Sequence, residues 1–134
     1  MTAYFITSSG TGTGKTLVTA ALTHQLRKSG QGVRALKPVL SGYEDVDAQT
    51  SDSGIILSAL GKDATPEAVA RITPWRFAAP LSPDMAASRE DRAIDFAALC
   101  DFCRDRIIEA AAKNETALIE GVGGVLVPLT GGDT

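Results

Sequence analysis

Several kinds of residue and segment are scarce in this chain, and each scarcity argues against a class of protein. Of its 134 residues, 2 are cysteine, 1 is histidine and 5% are aromatic. Two cysteines are too few for a tetrahedral zinc site. No apolar run approaches the length of a membrane span, and the amino terminus lacks a cationic leader followed by an apolar segment. We therefore expect a cytoplasmic protein without a membrane partner.

Charge of one sign is also not concentrated anywhere in the chain. The formal net charge is -3, from 13 basic and 16 acidic residues, and the basic residues are dispersed. This distribution argues against a groove for nucleic acid, so an anionic partner would be held by a few well-placed cations. The length suits a single domain over residues 1–134, although it is short for a complete doubly wound enzyme.

The two cysteines form a C-x-x-C motif, which is compatible with redox or metal chemistry in other settings. Here Cys100 and Cys103 lie in a segment with helical periodicity rather than in a turn between a strand and a helix. Together with Phe96, Leu99 and Ile107, the two cysteines recur at the spacing of one face of a helix. The pattern therefore favours two buried, apolar thiols in a helix.

The remaining pattern alternates between strands and helices. We predict buried strands at residues 3–7, 33–36 and 116–120, and a further strand at residues 125–129. Predicted helices cover residues 16–29, 52–60, a short stretch from 65, and 95–113, with a proline-rich loop at 73–83. In the first helix the face predicted to pack on the sheet consists of Leu17, Val18, Ala21, Leu22 and Leu26.

This order predicts an α/β fold with a doubly wound, mostly parallel sheet, whose loops at the carboxyl ends of the strands share one edge. The chain stops soon after the last predicted strand, without a helix to cover it. We therefore expect it to be truncated at its carboxyl terminus.

A glycine-rich segment, residues 8–16 (SSGTGTGKT), lies between the first strand and the first helix. In that context it resembles a Walker A loop, whose backbone N–H groups surround phosphate oxygens. Lys15 would reach the β- and γ-phosphates, and the Thr16 hydroxyl would coordinate Mg²⁺. The motif usually has glycine where this chain has Ser9, so the entrance to the loop is atypical. The simpler alternative is a glycine-rich turn with an exposed lysine.

A dinucleotide site fits these residues less well. The G-x-G-x-x-G pattern would need glycine at position 15, which is Lys15, and the second strand ends near Lys37 rather than at an acidic residue. We therefore predict a P-loop NTPase with three α/β/α layers that binds a nucleoside triphosphate.

Other polar residues are expected at the same edge. Glu120 ends the third strand where a Walker B carboxylate would approach Mg²⁺, although a solvated glutamate is the alternative. Lys37 adds a second cation and suggests a substrate with its own negative charge, although a solvated lysine is the alternative. Asp52 is explained by spacing alone as part of a helix cap. His24 falls on the first helix, away from this edge, and receives no role.

The chain resembles the dethiobiotin synthetase family through FITSSGTGTGKT, ALKPVLSG, TSD, ITPWRFAAPLSPDMAA and IEGVGGVLVPL, in that order. The family usually has T-G-T before the loop, and this chain has Thr7-Ser8-Ser9. The resemblance implies the amino-terminal part of a longer ligase of biotin biosynthesis. That ligase uses ATP and Mg²⁺ to close the cyclic urea of dethiobiotin from 7,8-diaminononanoate and CO₂ through carbamate phosphorylation. It also implies a homodimer.

Site residues follow from the same resemblance. Lys37 and Lys15 would be catalytic, and Thr16, Asp52 and Glu120 would surround Mg²⁺. Thr11, Lys37 and Ser41 would hold the diamine or its carbamate. Nucleotide contacts are implied for Gly12, Thr13, Gly14, Lys15, Thr16, Leu17, Asp52, Glu120, Gly121, Val122 and Gly123.

Two alternatives remain open. A partitioning-type P-loop ATPase would use ATP to dimerise and bind partners, but such proteins usually carry an extra lysine at the start of the loop, where this chain has Ser8 and Ser9. The other is a related amino-terminal domain of a cofactor amidotransferase or acyltransferase. ADP release that depends on the diamine would distinguish the synthetase from the switch.

Overall fold

The computed structural model describes residues 2–134, in which parallel strands pack against helices. The strands are β1 (Thr2–Ile6), β2 (Val33–Leu36), β3 (Val39–Ser41), β4 (Trp75–Phe77) and β5 (Thr116–Glu120). The helices are α1 (Lys15–Lys28), α2 (Asp52–Ala59), α3 (Pro66–Ile72), α4 (Pro83–Arg89) and α5 (Phe96–Ala112).

The main sheet has the order β1-β5-β2, and both pairs are parallel. The last strand in the sequence therefore lies in the middle. Ile6 pairs with Glu120 and Leu36 with Ile119, so all three strands end together at one edge. The loops that follow β1 and β2 begin on either side of the end of β5. This topology brings three distant parts of the sequence together.

Helices cover this sheet. Helix α1 packs on β2 and β5 together with α2, and α5 packs on the same two strands without an extensive contact to α1. One core contains Leu36, Ile56 and Leu118, and a second contains Phe77 and Leu99. The predicted α/β fold with a mostly parallel sheet is confirmed.

Local capping explains where three of the helices begin. The side chain of Ser51 accepts a hydrogen bond from the Gly54 N–H at the start of α2, and Asp95 does the same for the Ala98 N–H at α5. Thr65 caps α3 and is followed directly by a proline. Such side chains satisfy donors that have no partner within the helix.

Two irregular segments differ from the prediction. The proline-rich segment 73–83 is not only a loop, since β4 lies within it and pairs in parallel with β3. The Trp75 N–H donates to the Pro38 carbonyl, which aligns the pair. The strand predicted at residues 125–129 does not form: Leu126 has a φ of 62°, a left-handed conformation that is incompatible with an extended strand.

The predicted sheet-facing side of α1 is wrong for most of its residues. Leu17 is 73% exposed and Val18 is 50% exposed, whereas Thr19 and Thr23 are fully buried. Each of these threonine hydroxyls donates to the carbonyl four residues earlier, Thr19 to Lys15 and Thr23 to Thr19. The helix itself therefore satisfies the polar group, which allows both threonines to be buried.

Burial also differs from the prediction at β1 and at the cysteines. Strand β1 was predicted to be buried, but it forms one edge of the described sheet, and Phe5 is 66% exposed. Cys100 and Cys103 are free thiols of intermediate exposure rather than fully buried ones. Cys103 nevertheless packs against both cores. Burial raises the pKa of the Cys103 thiol, with a smaller contribution from Cys100.

None of the helices within residues 2–134 combines the length and the apolar character that crossing a bilayer requires.

Candidate nucleotide-phosphate site

The glycine-rich loop connects the end of β1 to the start of α1. Gly12 has a φ of 67° and Gly14, the residue that precedes α1, has a φ of 98°. Residues with a side chain rarely adopt these backbone angles, which explains why glycine occupies both positions. Ser9, where the motif usually has glycine, does not have a positive φ. A glycine is therefore not needed there for backbone conformation.

Backbone donors of this loop are available to a ligand. Four successive N–H groups of the loop donate no backbone hydrogen bond within residues 2–134. They belong to Thr11, Gly12, Thr13 and Gly14. They lie directly before the amino-terminal end of a 14-residue helix, where the partial positive charge of the helix dipole is concentrated. This combination suits an anion such as a phosphate group.

The Lys15 side chain folds back onto the start of its own loop. Its ammonium group donates to the Ser8 hydroxyl at 3.0 Å and to the Gly10 carbonyl at 3.1 Å. The Ser8 hydroxyl in turn donates to the same carbonyl at 2.6 Å, and the Thr13 hydroxyl donates to it at 3.1 Å. Ser8 thus takes part in positioning the lysine, so the atypical loop entrance adds a hydroxyl contact to Lys15.

Glu120 lies between the two flanking loops because β5 is the central strand. Its side chain is fully buried, and Oε1 accepts hydrogen bonds from the Thr16 hydroxyl at 2.7 Å and from the Lys37 ammonium at 2.8 Å. Oε2 is also buried, and it has no hydrogen-bond partner among residues 2–134. A buried carboxylate oxygen without a donor is costly unless a ligand or ion satisfies it.

Lys37 is held by three neighbours although it is only 2% exposed. Besides Glu120, its ammonium donates to the Gly121 carbonyl at 3.2 Å and lies 3.6 Å from Asp52 Oδ2. The Asp52 side chain is 45% exposed, so solvent screens this second ion pair more than the first. Asp52 is the first residue of α2, and Ser51 supplies the cap. Ser51, and not Asp52, is therefore the residue whose side chain caps the helix.

These groups line one cleft of about 670 Å³. The predicted site residues that line it are Thr11, Gly12, Gly14, Lys15, Thr16, Leu17, Lys37, Ser41, Asp52, Glu120, Val122 and Gly123. Thr13 and Gly121 lie beside it, through their contacts with the Gly10 carbonyl and with Lys37. His24, which received no role, is exposed on α1 and does not line the cleft.

Further lining residues had no individual role in the prediction. They are Leu40, Pro80, Leu81, Ser82, Pro83 and Val127. The segment around Pro80 reaches the cleft because the Gly42 N–H donates to the Ala79 carbonyl next to it. The sequence signals for this wall were the proline-rich composition of the segment and its part in the resemblance to dethiobiotin synthetases. The segment gives the cleft an apolar wall.

The residues proposed for Mg²⁺ have the chemistry that this ion requires. Mg²⁺ prefers oxygen ligands and usually keeps several waters, so two carboxylates and a hydroxyl suffice beside substrate phosphates. Thr16, Asp52 and Glu120 offer such a set, and the unpartnered Glu120 Oε2 is suited to a cation. Within residues 2–134, no group of three or more histidine, cysteine or acidic residues is placed so that it could hold a metal ion.

The sequence from residue 2 to residue 134 matches a protein family described as an AAA domain. The chain belongs to that family. Within the AAA domain the parallel sheet, the phosphate loop and the acidic residue that ends β5 together form a P-loop NTPase fold.

Curated relatives of this AAA domain are ATP-dependent dethiobiotin synthetases. The chain is 52% identical to ATP-dependent dethiobiotin synthetase BioD of Methylobacterium nodulans over 97% of its own length and 59% of that protein. It is 49% identical to the protein of the same name in Acidiphilium cryptum, over 96% of the chain and 57% of the relative. It is 44% identical to the protein of the same name in Caulobacter sp. (strain K31), over 97% of the chain and 54% of the relative. The resemblance to dethiobiotin synthetases is therefore confirmed, and the chain spans somewhat more than half the length of these relatives.

Proposed function

We propose that this chain carries the phosphate-binding and diamine-facing part of an ATP-dependent dethiobiotin synthetase. The observation that supports this most strongly is the convergence of two lysines and two acidic residues on one cleft, with Lys37 held between Glu120 and Asp52. A phosphate loop alone needs only Lys15. A second buried lysine suits a second anion, such as a carbamate formed from the diamine and CO₂.

Repulsion between anions is the main obstacle in this reaction. A carbamate oxygen must approach the γ-phosphorus of ATP, and both reactants are negatively charged. The ammonium groups of Lys15 and Lys37 would stabilise this charge, because such groups act strongly where water is excluded. Bound Mg²⁺ would supply further charge neutralisation on the phosphates. Thr16, Asp52 and Glu120 would hold it.

The remaining contacts fit a substrate that is polar at one end and aliphatic along its length. Ser41 Oγ is buried, lines the cleft and has no hydrogen-bond partner among residues 2–134. It is suited to a polar atom of the diamine or its carbamate. Thr11 lines the same cleft from the phosphate loop. Leu40 and Leu81 offer apolar surface nearby, which suits an alkyl chain.

An assay with ATP, bicarbonate and diaminononanoate tests this function. We expect release of ADP that depends on the diamine, together with formation of dethiobiotin. Release of ADP regardless of the diamine would instead favour a partitioning-type ATPase, and no release with tight nucleotide binding would limit the chain to nucleotide binding. The relatives are longer than this chain, and their additional part could contribute to dimer contacts. The same preparation is therefore used to measure whether this chain alone forms a homodimer.

The role of Lys37 is tested separately. We expect Lys37→Gln to leave ATP binding nearly intact and to slow ring closure by about a hundredfold or more, as for the loss of one donor to a developing negative charge. Lys15→Gln is the matched comparison, and it should weaken ATP binding as well. Equal loss of binding and ring closure in Lys37→Gln would contradict the proposed role.

A further inference from the structure

The contacts of Lys37 conflict with a role that is directed only at the substrate. Its ammonium lies 2.8 Å from Oε1 of Glu120, which is the acidic residue proposed to bind Mg²⁺. The same Oε1 accepts the Thr16 hydroxyl, and Thr16 is the second proposed ligand. The third, Asp52, is also an ion-pair partner of Lys37. One lysine is therefore paired with both carboxylates of the metal site.

We propose that the Lys37 ammonium and a divalent cation compete for Glu120 and Asp52, so that cation binding releases Lys37 into the substrate cleft. This inference rests on the proposed function, because it assigns the order in which the site is assembled. Lys37 would be the resident counter-ion of the carboxylates, and the cation would free it to contact the substrate anion.

Electrostatics favours exchange over joint occupancy. A cation on the unpartnered Oε2 of Glu120 would lie close to the Lys37 ammonium on Oε1, and their repulsion is weakly screened because both side chains are almost completely buried. Glu120 cannot turn towards solvent to separate them, because its side chain is fully buried. The weaker pair with Asp52, at 3.6 Å and partly exposed, is the contact that opens most easily.

The backbone of Lys37 is fixed, so release must occur within the side chain. Its N–H donates to the Ile72 carbonyl at 3.2 Å, and it is flanked by β2 on one side and by Pro38 and β3 on the other. The side chain already lines the cleft. Rotation about its four flexible bonds can move the ammonium away from Glu120 without moving either strand, and Ser41 lines the same cleft.

Binding of Mn²⁺, used as a probe in the absence of nucleotide, tests the competition. We expect Lys37→Met to bind Mn²⁺ at least about tenfold more tightly than the unmodified chain, as measured by electron paramagnetic resonance or calorimetry. Lys62→Met removes the same charge from an exposed position and should change the affinity less than about twofold. Adding Glu120→Gln to Lys37→Met should abolish the gain. Equal or weaker binding by folded Lys37→Met would overturn the inference.

A second measurement uses the unmodified chain and does not depend on whether the variant folds. Lysine acetylation followed by mass spectrometry should show slow modification of Lys37, and saturating Mg²⁺ should increase its rate by at least about threefold, since release exposes the amine. Lys62 is the internal control, with an unchanged rate. An unchanged rate at Lys37 with Mg²⁺ bound would refute release.

These outcomes are separable from the proposed function, since neither experiment includes ATP or the diamine. A chain that shows the exchange but forms no dethiobiotin would contradict the proposed function and leave the inference standing. A chain that closes the ring while Lys37 stays bound to Glu120 would support the proposed function and contradict the inference.

Discussion

Replacing Glu120 by glutamine tests whether the buried ion pair is integral to the folded sheet. The substitution keeps the shape of the side chain and removes its charge, and its partner Lys37 is only 2% exposed in the unmodified chain. At 2.8 Å and an effective dielectric constant of about 20, the Coulomb attraction is about 6 kcal/mol. The glutamine oxygen can still accept from Lys37, and Asp52 retains part of the compensation. We therefore expect the free energy of unfolding to fall by about 3 kcal/mol, near the range for breaking a buried pair.

Urea denaturation followed by circular dichroism measures this change. The double variant Glu120→Gln with Lys37→Met should recover about 2 kcal/mol relative to Glu120→Gln, because no unpaired charge remains buried. Glu109→Gln is the matched control, since Glu109 pairs with Arg34 and Arg106 but its side chain is 42% exposed, and it should cost less than about 1 kcal/mol. A loss below about 1 kcal/mol for Glu120→Gln, or no recovery in the double variant, would refute the reasoning.

Two further predictions concern the phosphate loop and the thiols. Gly14→Ala should weaken ATP binding by about tenfold, since a side chain at a φ of 98° strains the loop. Gly30→Ala, at a φ of 77° and with equally open space around it, should leave binding unchanged; equal effects would argue against a special loop geometry. Cys103 should react with iodoacetamide at pH 8 at least about threefold more slowly in the folded chain than in urea, because burial raises its pKa and lowers the thiolate fraction. Equal rates would contradict that burial.

Much of the fold could be predicted because the chain combines clear periodicity with clear end signals. The strand at residues 33–36 and the strand at residues 116–120 agree with the structure at both ends. Ser51, Thr65 and Asp95 cap the helices that the sequence predicts at those places. Propensity and capping are local properties, so the sequence expresses them directly.

Errors arose where burial depends on distant partners. Leu17 and Leu22 of the predicted apolar face are exposed, and Thr19 and Thr23 of α1 are buried instead, because their hydroxyls donate to carbonyls of the same helix. Exposure of β1 depends on strand order, which no local pattern encodes. Strand β4 is only three residues long and contains too little sequence for its periodicity to be recognised.

The candidate site shows the same division. Loop chemistry and strand ends predicted that Lys15, Thr16, Lys37 and Glu120 would share an edge, and they do. The sequence did not predict that Lys37 would pair with Glu120, because that contact spans 83 residues and depends on β5 being inserted between β1 and β2. The role of Ser8 as a contact of Lys15 was also not predicted, since it depends on the curvature of the loop.

The central position of β5 makes strand register a determinant of the site. Side chains alternate between the two faces of a strand, so a slip of one residue between β5 and its neighbours would turn the Glu120 carboxylate away from Lys37 and Thr16 and put Gly121 in its place. Substitutions in the buried middle of β5, such as at Leu118, can thus change the charge balance of the cleft without touching it. In this chain, the pairing of the three parallel strands therefore determines which charged side chains meet in the cleft.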